Sequence, residues 1–298
     1  AKTLRFPLDW PTVQPNNKDE FLWGAYANLV FQAAYRGFRL LPVVVNTPSW
    51  VPRDTVAGAG GLPYPTQNGW EHLGNFVAEA LAYFSGVSRA IEVWNEPNLN
   101  SFAVPRETYK NMLATSLAKV AARTYNNPKT VVSASMAMLP DNDANSEPWR
   151  PYLEYFAPQC VPYAVGLHPY SLVDYSSGYS QAQAVDHLVD RIVQKYDAAA
   201  SFITSDIWIT ETGCGSQAPF GLQGQAKALR RLAGPSGPFA YRAAASTGAC
   251  KAVILHRYWT KPEPDGGVFP SYPVTYDNYA YKQPAQSYLA QDWAGAPG

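Results

Sequence analysis

The chain has 298 residues, no net formal charge, and charged side chains at only 15% of its positions. This length suits one α/β barrel of about 250 residues, and the absence of a basic stripe argues against nucleic acid as a partner. No run of 18 or more apolar residues occurs, so the sequence predicts no membrane-spanning helix. It does not begin with a signal peptide, which a mature secreted protein would also lack.

The first predicted strand, Thr3 to Leu8, contains an arginine, Arg5. An arginine inside a barrel strand is costly to bury unless a carboxylate pairs with it; the alternative is an exposed edge strand. Helical spacing of apolar residues then predicts a helix from Asp19 to Tyr35, with Gly37 as its C-terminal cap. Arg39 to Val45 is predicted as a strand, and its continuous apolar run L-L-P-V-V-V is typical of a parallel strand that is covered on both faces.

A long segment rich in glycine and proline follows that strand, from Asn46 to Trp70. Loops of this length without secondary structure are usually functional or mobile. We expect it to form one wall of a binding cleft. Trp50 is the best candidate for stacking on a ligand there, although it could equally cap the core.

An amphipathic helix from Glu71 to Phe84 leads into the most informative stretch, Ile91 to Asn98, which reads I-E-V-W-N-E-P-N. A short β-rich run is stopped at once by turn-forming residues, so Glu96 lies where a strand ends. A carboxylate in this position suits acid/base chemistry. The alternative is a polar turn residue, since loops are polar for ordinary reasons.

The next predicted strands are Thr130 to Ala134 and Ala164 to Tyr170; the second ends in His168, Pro169 and Tyr170. His168 is either a site residue or a structural histidine, and Tyr170 presents the same choice. Helical periodicity from Ala184 to Tyr196 predicts the helix that precedes the next strand.

A second carboxylate closes a strand in the run Ile207 to Gly213, which reads I-W-I-T-E-T-G. Glu211 therefore belongs at the same end of its strand as Glu96. Two such carboxylates are the arrangement that glycoside hydrolysis requires, and the pair is far more specific than either residue alone. A helical region interrupted at Gly234 to Pro238 follows, and Ala252 to Trp259 is the last predicted strand.

W-N-E-P-N followed by I-T-E-T-G resembles the retaining glycoside hydrolases of clan A, which are (β/α)8 TIM barrels. The resemblance implies that Glu96 is the acid/base, Glu211 the nucleophile, and Asn95 the amide that bonds the sugar 2-hydroxyl. It also implies that Arg5 helps to keep Glu211 ionised.

The same resemblance extends to the last strands of the barrel. It implies that His168 and Tyr170 approach the nucleophile and the bound sugar, and that an aromatic residue at the end of the final strand floors the sugar subsite. Trp259 is the first choice for this residue, with Tyr258 close behind.

The function that the resemblance implies is retaining hydrolysis of the β-glycosidic bonds of a polysaccharide or oligosaccharide, without a metal or organic cofactor. A carbohydrate-binding protein on the same barrel and a transglycosylating enzyme are the alternatives. We expect a single domain over residues 1–298, an extracellular location, a carbohydrate substrate, no nucleic acid or membrane partner, and a monomer.

The strand count predicts seven strands, whereas a closed (β/α)8 barrel needs eight. If Glu96 ends the fourth strand and Glu211 the seventh, then Thr3 to Leu8 is the second strand. We therefore expect the first strand to precede Ala1 in a longer chain, or its place to be filled by a segment after Thr260.

The three cysteines, Cys160, Cys214 and Cys250, fit no zinc or redox spacing. Cys214 belongs at the catalytic face and the other two at the opposite face, so a disulfide to Cys214 is not expected. Whether Cys160 pairs with Cys250 is left open by the sequence.

Overall fold

The computed structural model describes residues 2–56, 61–141, 144, 146–159, 164–170, 178–213, 221–234, 236–243 and 247–255. These residues form two compact units. The first contains the described residues of 1–167 and 203–208, and the second contains those from 168–202 and from 209 onward.

Each of the seven predicted strand runs has a strand in the structure, and three short strands accompany them. The bounds are β1 Lys2–Asp9, β2 Phe38–Val45, β3 Arg53–Asp54, β4 Tyr64–Pro65, β5 Ala90–Val93, β6 Thr130–Ser133, β7 Met136–Ala137, β8 Val165–His168, β9 Ile207–Thr212 and β10 Cys250–Leu255. The last predicted run extended to Trp259, and its residues from 256 onward lie outside the described part of the chain.

The first unit is built on a parallel sheet in the order β1, β2, β5, β6. In register, Leu8 lies beside Val44, Val44 beside Val93, and Val93 beside Ser133. The last six residues of β2 are all buried, as its continuous apolar run predicted. The α/β class with parallel strands is thus confirmed, while closure by an eighth strand stays a prediction.

Helices connect these strands. Their bounds are α1 Trp10–Val13, α2 Gly24–Arg36, α3 Trp70–Tyr83, α4 Arg106–Ala121, α5 Trp149–Phe156, α6 Gln181–Ala200, α7 Gly221–Ala233 and α8 Pro238–Arg242, with short 3-10 turns at Gln67–Gly69, Asn100–Phe102 and Ala157–Gln159. Among the described residues, no helix combines the length and the apolar character needed to cross a membrane.

The helix predicted from Asp19 begins later, at Gly24. The side chain of Asn17 accepts the N–H groups of Asp19 and Glu20 at 2.9 and 3.1 Å, so a local turn takes up this stretch instead of a first helical turn. The predicted C-terminal cap is confirmed, because Gly37 has a left-handed φ of 68°.

The apolar face predicted for α2 is partly buried: Ala33 is buried, Leu29 and Val30 are half-buried, and Ala34 is exposed. On the opposite side of the helix, Phe31 and Tyr35 are 63% and 79% exposed and stack on each other at 6.3 Å. By contrast, α3 buries the predicted face, which includes Leu73, Phe76, Val77, Ala80 and Leu81.

The segment Asn46 to Trp70 has more structure than the sequence suggested. Strands β3 and β4 pair as a short antiparallel ribbon, and a 3-10 turn follows them. Gly69 fits tightly beneath this ribbon, since a Cβ there would lie 2.6 Å from the Pro52 carbonyl oxygen. The prediction of a structureless loop was therefore wrong, and a cleft-wall role stays a prediction.

Several aromatic residues are used in packing instead of being held for a ligand. Trp10 and Trp94 are fully buried. Trp23 stacks on Tyr83 with ring centroids 4.3 Å apart and on Phe76 at 6.0 Å. These aromatic side chains therefore stabilise the core.

Candidate active site

The chain leaves β5 in a strained turn that presents Asn95 and Glu96. Trp94 and Glu96 have φ values of 77° and 39°, and such a conformation costs about 1 to 3 kcal/mol in a residue other than glycine. The Glu96 N–H donates to the Ser135 carbonyl at 3.1 Å, and the Glu96 carbonyl accepts from the Leu99 N–H at 2.8 Å. Backbone strain of this kind persists where the surroundings enforce it, and it clusters at functional sites.

Two buried side chains hold the strand end behind this turn. The Trp94 indole N–H donates to the Phe102 carbonyl at 2.8 Å. The Tyr109 hydroxyl on α4 donates to the Val93 carbonyl at 3.1 Å and accepts the Ala134 N–H at 2.5 Å. The helix thereby ties together the ends of β5 and β6, next to Glu96.

A buried polar network lies beneath Asn95. Arg5 on β1 donates through Nε and Nη2 to the two carboxylate oxygens of Glu92, at 2.7 and 3.1 Å. Arg5 Nη2 also donates to Asn95 Oδ1 at 2.7 Å, and Asn95 Nδ2 donates to Glu96 Oε2 at 3.3 Å. The Arg5 side chain is 11% exposed and that of Glu92 is fully buried, so this is an interior ion pair.

The carboxylate that Arg5 requires is therefore Glu92, a residue that the sequence analysis missed. Its signal was present, because a glutamate stands inside the otherwise apolar run of β5 and a buried charge needs a partner. The expected support of Glu211 by Arg5 stays a prediction.

Ser135 also hydrogen-bonds to Glu92. Its N–H and hydroxyl both donate to Glu92 Oε1, at 3.1 and 2.8 Å. Gly166 on β8 leaves room for this serine, since a Cβ at that glycine would lie 2.2 Å from Ser135 Oγ. A glycine at this place in the strand is thus explained by a close approach.

Arg5→Met is expected to destabilise the fold by about 3 to 5 kcal/mol, because it leaves the Glu92 charge buried without its partner. Denaturant unfolding at neutral pH measures the change. Arg150→Met is the matched control: Arg150 and Glu154 pair on the surface, with 52% and 45% of their side chains exposed, and such a pair contributes at most about 0.5 kcal/mol. Equal losses in the two variants would contradict the assignment of an interior pair.

In the second unit, Glu211 on β9 lies beside His168 and Tyr170, which were predicted to end the strand before it. The Tyr170 hydroxyl donates to Glu211 Oε2 at 3.1 Å. His168 Nδ1 lies 3.9 Å from the same oxygen, and its Nε2 is 3.0 Å from Thr210 Oγ1. His168 is fully buried, whereas the Glu211 side chain is 15% exposed. The structure thus brings both predicted residues to Glu211, and their catalytic roles stay predictions.

A lysine on α6, Lys195, also contacts the cluster formed by Glu211, His168 and Tyr170. Lys195 Nζ donates to the Tyr170 carbonyl oxygen. Burial, and secondarily the positive charge of Arg191, lowers the pKa of Lys195 to about 8. This lysine was not predicted as a site residue, because its helix shows only the periodicity of ordinary packing.

A further strand-end residue, Asn46, has a left-handed φ of 66°. Its Nδ2 donates to Asp9 Oδ1 at 3.2 Å, which links the ends of β2 and β1. Asparagine tolerates this conformation better than most residues, so an asparagine directly after an apolar strand was a usable signal.

Trp50 is half-buried and engaged in packing. Its indole N–H donates to the Gln14 carbonyl at 2.8 Å, and its ring meets Trp10 and His72 edge to face at 6.3 and 5.2 Å. Its proposed role in stacking a sugar stays a prediction. Trp259 and Tyr258 lie outside the described residues.

Cys250 is free and buried, and burial raises the pKa of its thiol to about 12. Cys160 and Cys214 lie outside the described residues. A cysteine buried in this way is typical of a structural residue.

No family model matches the sequence, and no curated protein matches it. Solved structures do match. A family 39 glycoside hydrolase from Bacteroides cellulosilyticus WH2 aligns with 98% of this chain at a TM-score of 0.62 and 16% identity. The chain has the fold of the clan A glycoside hydrolases. It spans 58% of the length of that family 39 enzyme.

Two further structures share the clan A fold. A fungal β-1,4-galactanase has a TM-score of 0.64 and 13% identity, over 97% of this chain and 87% of its own. An endo-β-1,4-glucanase from Xanthomonas axonopodis pv. citri has a TM-score of 0.60 and 14% identity, over 97% of this chain and 84% of its own. At these identities the comparisons establish the fold, and the chemistry must be argued from the residues.

Proposed function

We propose that the protein is a retaining β-glycosidase that hydrolyses β-linked polysaccharides or oligosaccharides. The observation that carries the proposal is the pair of strand-end glutamates on a clan A fold, each in surroundings that suit its role. Glu96 follows an asparagine whose amide donates to it, and Glu211 accepts a hydrogen bond from Tyr170.

The reaction has two displacements. In the first, a Glu211 carboxylate oxygen bonds to the anomeric carbon while the bond to the leaving oxygen breaks, and the protonated Glu96 carboxyl gives that oxygen its proton. In the second, Glu96 takes a proton from water, the water oxygen bonds to the anomeric carbon, and Glu211 departs as a carboxylate. Each step inverts the configuration, so the product has the configuration of the substrate.

The neighbours of Glu211 suit a nucleophile. A hydrogen bond from the Tyr170 hydroxyl favours the ionised form of a carboxylate and fixes one of its oxygens. The other oxygen can then be directed at the anomeric carbon. Asn95 is suited to the role that the resemblance gives it, because its NH2 group lies on the side of Glu96 and can reach a hydroxyl beside the reacting carbon.

Product stereochemistry tests the retaining mechanism. We expect the two carboxyl groups to lie about 5 to 5.5 Å apart and the first product to be the β anomer. Proton NMR of a β-linked oligosaccharide during early turnover distinguishes the anomers before mutarotation mixes them. An initial α product, or carboxyl groups near 9 Å apart in a ligand complex, would contradict retention and indicate an inverting mechanism.

A transglycosylating enzyme uses the same residues and differs in excluding water, whereas a carbohydrate-binding protein cleaves nothing. Incubation with an aryl β-glycoside, with and without an acceptor sugar, separates the three functions. Release of the aryl group with free sugar as the main product supports hydrolysis. A panel of β-linked glucans, galactans, mannans and xylans then identifies the substrate.

A further inference from the structure

The Asn95 amide is held in one orientation by the chemistry of its neighbours. A guanidinium has only donors and an asparagine amide has one acceptor end and one donor end. Because Arg5 Nη2 is 2.7 Å from Asn95 Oδ1, the oxygen end must face Arg5. The NH2 end is then directed at Glu96, where Nδ2 lies 3.3 Å from Oε2.

Arg5 is itself held by Glu92. Glu92 Oε2 accepts from Arg5 Nε at 2.7 Å, and Oε1 accepts from Arg5 Nη2 at 3.1 Å. The Ser135 N–H and hydroxyl fix Oε1 from the other side. A bidentate, charge-assisted ion pair restrains both the position and the tilt of the guanidinium. Glu92 therefore fixes the orientation of Arg5.

We propose that Glu92 is a positioning residue for the glycosidase reaction: it holds the Arg5 guanidinium so that Arg5 keeps the NH2 group of Asn95 directed at Glu96 and at the substrate hydroxyl beside the anomeric carbon. The reaction part of this inference rests on the proposed function. Glu92 touches no reacting atom and acts through two other side chains.

Glu92→Gln tests the inference. The glutamine NH2 group is a donor where the carboxylate oxygen was an acceptor, so it repels the Arg5 donors. The guanidinium is then displaced and no longer holds the Asn95 amide. We expect kcat/KM on an aryl β-glycoside to fall about tenfold to a hundredfold, as for loss of a hydrogen bond to a charged group. On the 2-deoxy analogue, which lacks the hydroxyl that Asn95 bonds, the loss is expected to be several-fold smaller, because only the contact between Asn95 and Glu96 is left to disturb.

A double-mutant cycle provides the second readout. In an Asn95→Ala background, Glu92→Gln has little left to disturb, so its further loss is expected to stay below about threefold. Glu154→Gln is the matched control: it makes the same chemical change on a half-exposed glutamate that pairs with Arg150, and we expect unchanged kinetics. Equal losses on both substrates, or full additivity with Asn95→Ala, would overturn the inference and leave a purely structural ion pair.

A second variant guards against misfolding. Arg5→Met with Glu92→Leu removes both charges together, which is far better tolerated than removing one. This double variant is expected to fold, as checked by circular dichroism, and to show the same difference between the two substrates. If it folds and treats both substrates as the wild-type protein does, the inference is overturned.

A crystal structure of Glu92→Gln separates this inference from the proposed function. We expect Arg5 Nη2 to move beyond hydrogen-bond distance of Asn95 Oδ1, whatever reaction the protein catalyses. If the wild-type protein releases no aglycone from any β-glycoside, the proposed function fails, and the crystal structure still decides the positioning. An unmoved Arg5 and Asn95 would overturn the positioning role even if the wild-type protein is an active glycosidase.

Discussion

Glu211→Ala is expected to lower kcat on an aryl β-glycoside on the order of a millionfold, the loss that follows removal of a covalent nucleophile. Without this carboxylate no glycosyl–enzyme bond can form, and no other group of the cluster replaces it. The Tyr170 hydroxyl that donates to Glu211 Oε2 is a far weaker nucleophile at neutral pH. Initial rates at saturating substrate measure the loss.

A covalent label identifies the nucleophile directly. A β-glycoside with fluorine at the 2-position and a good leaving group forms the glycosyl–enzyme but hydrolyses it slowly, so the adduct should accumulate on the wild-type protein. Mass spectrometry of the digest is expected to place it on the peptide that contains Glu211, and the alanine variant should stay unlabelled. Asp190→Ala, an exposed carboxylate on α6 of the same unit, is the control. A label on another residue would contradict the assignment.

The strands were largely predictable because a strand that is buried on both faces needs apolar residues at consecutive positions. Strand β2 shows this, since residues 40–45 are apolar and all are buried. Helix α6 was predicted from Ala184 but begins at Gln181. A capping box explains the difference, in which Ser180 and Gln183 bond each other's backbone N–H groups. The S-x-x-Q pattern was readable in the sequence.

Other features depend on contacts that local sequence cannot supply. Arg5 and Glu92 are 87 positions apart, and their meeting depends on the register of three strands. The sequence indicated that Arg5 needs a carboxylate and the resemblance suggested Glu211, so the pairing with Glu92 was not predicted. The ribbon of β3 and β4 joins residues much closer in the chain, but it was also missed, since two-residue strands leave no periodic pattern.

The candidate site also combines features that the local sequence marks with features that depend on distant contacts. The two glutamates could be predicted because a strand end is a local feature that turn-forming residues mark. Glu92, which pairs with Arg5, and Lys195, which donates to the Tyr170 carbonyl, lie inside a strand and a helix, where a charged side chain is easily overlooked. A charged residue inside an otherwise apolar element is a reason to search for a polar network around a site.

Glu96→Ala is expected to lower activity by an amount that depends on the leaving group of the substrate. Proton donation contributes about a hundredfold to ten-thousandfold, so an unactivated oligosaccharide should lose kcat/KM by that factor. A dinitrophenyl glycoside needs no proton on its leaving group, and its first step should be nearly unchanged. The second step then limits turnover, because no base remains to activate water. Glu147→Ala, which removes a half-exposed glutamate of the same unit, should leave both substrates unaffected.

Azide tests this assignment because it is a nucleophile that needs no general base. With the dinitrophenyl substrate, azide should raise the turnover of Glu96→Ala and yield a β-glycosyl azide, since Glu211 inverts the anomeric carbon once and azide inverts it again. With Glu211→Ala, azide enters the vacated space and inverts only once, so the product should be the α-glycosyl azide. NMR of the isolated azides distinguishes the two. An α product from Glu96→Ala would exchange the roles of the two glutamates, and rescue of neither variant would remove both from the reaction.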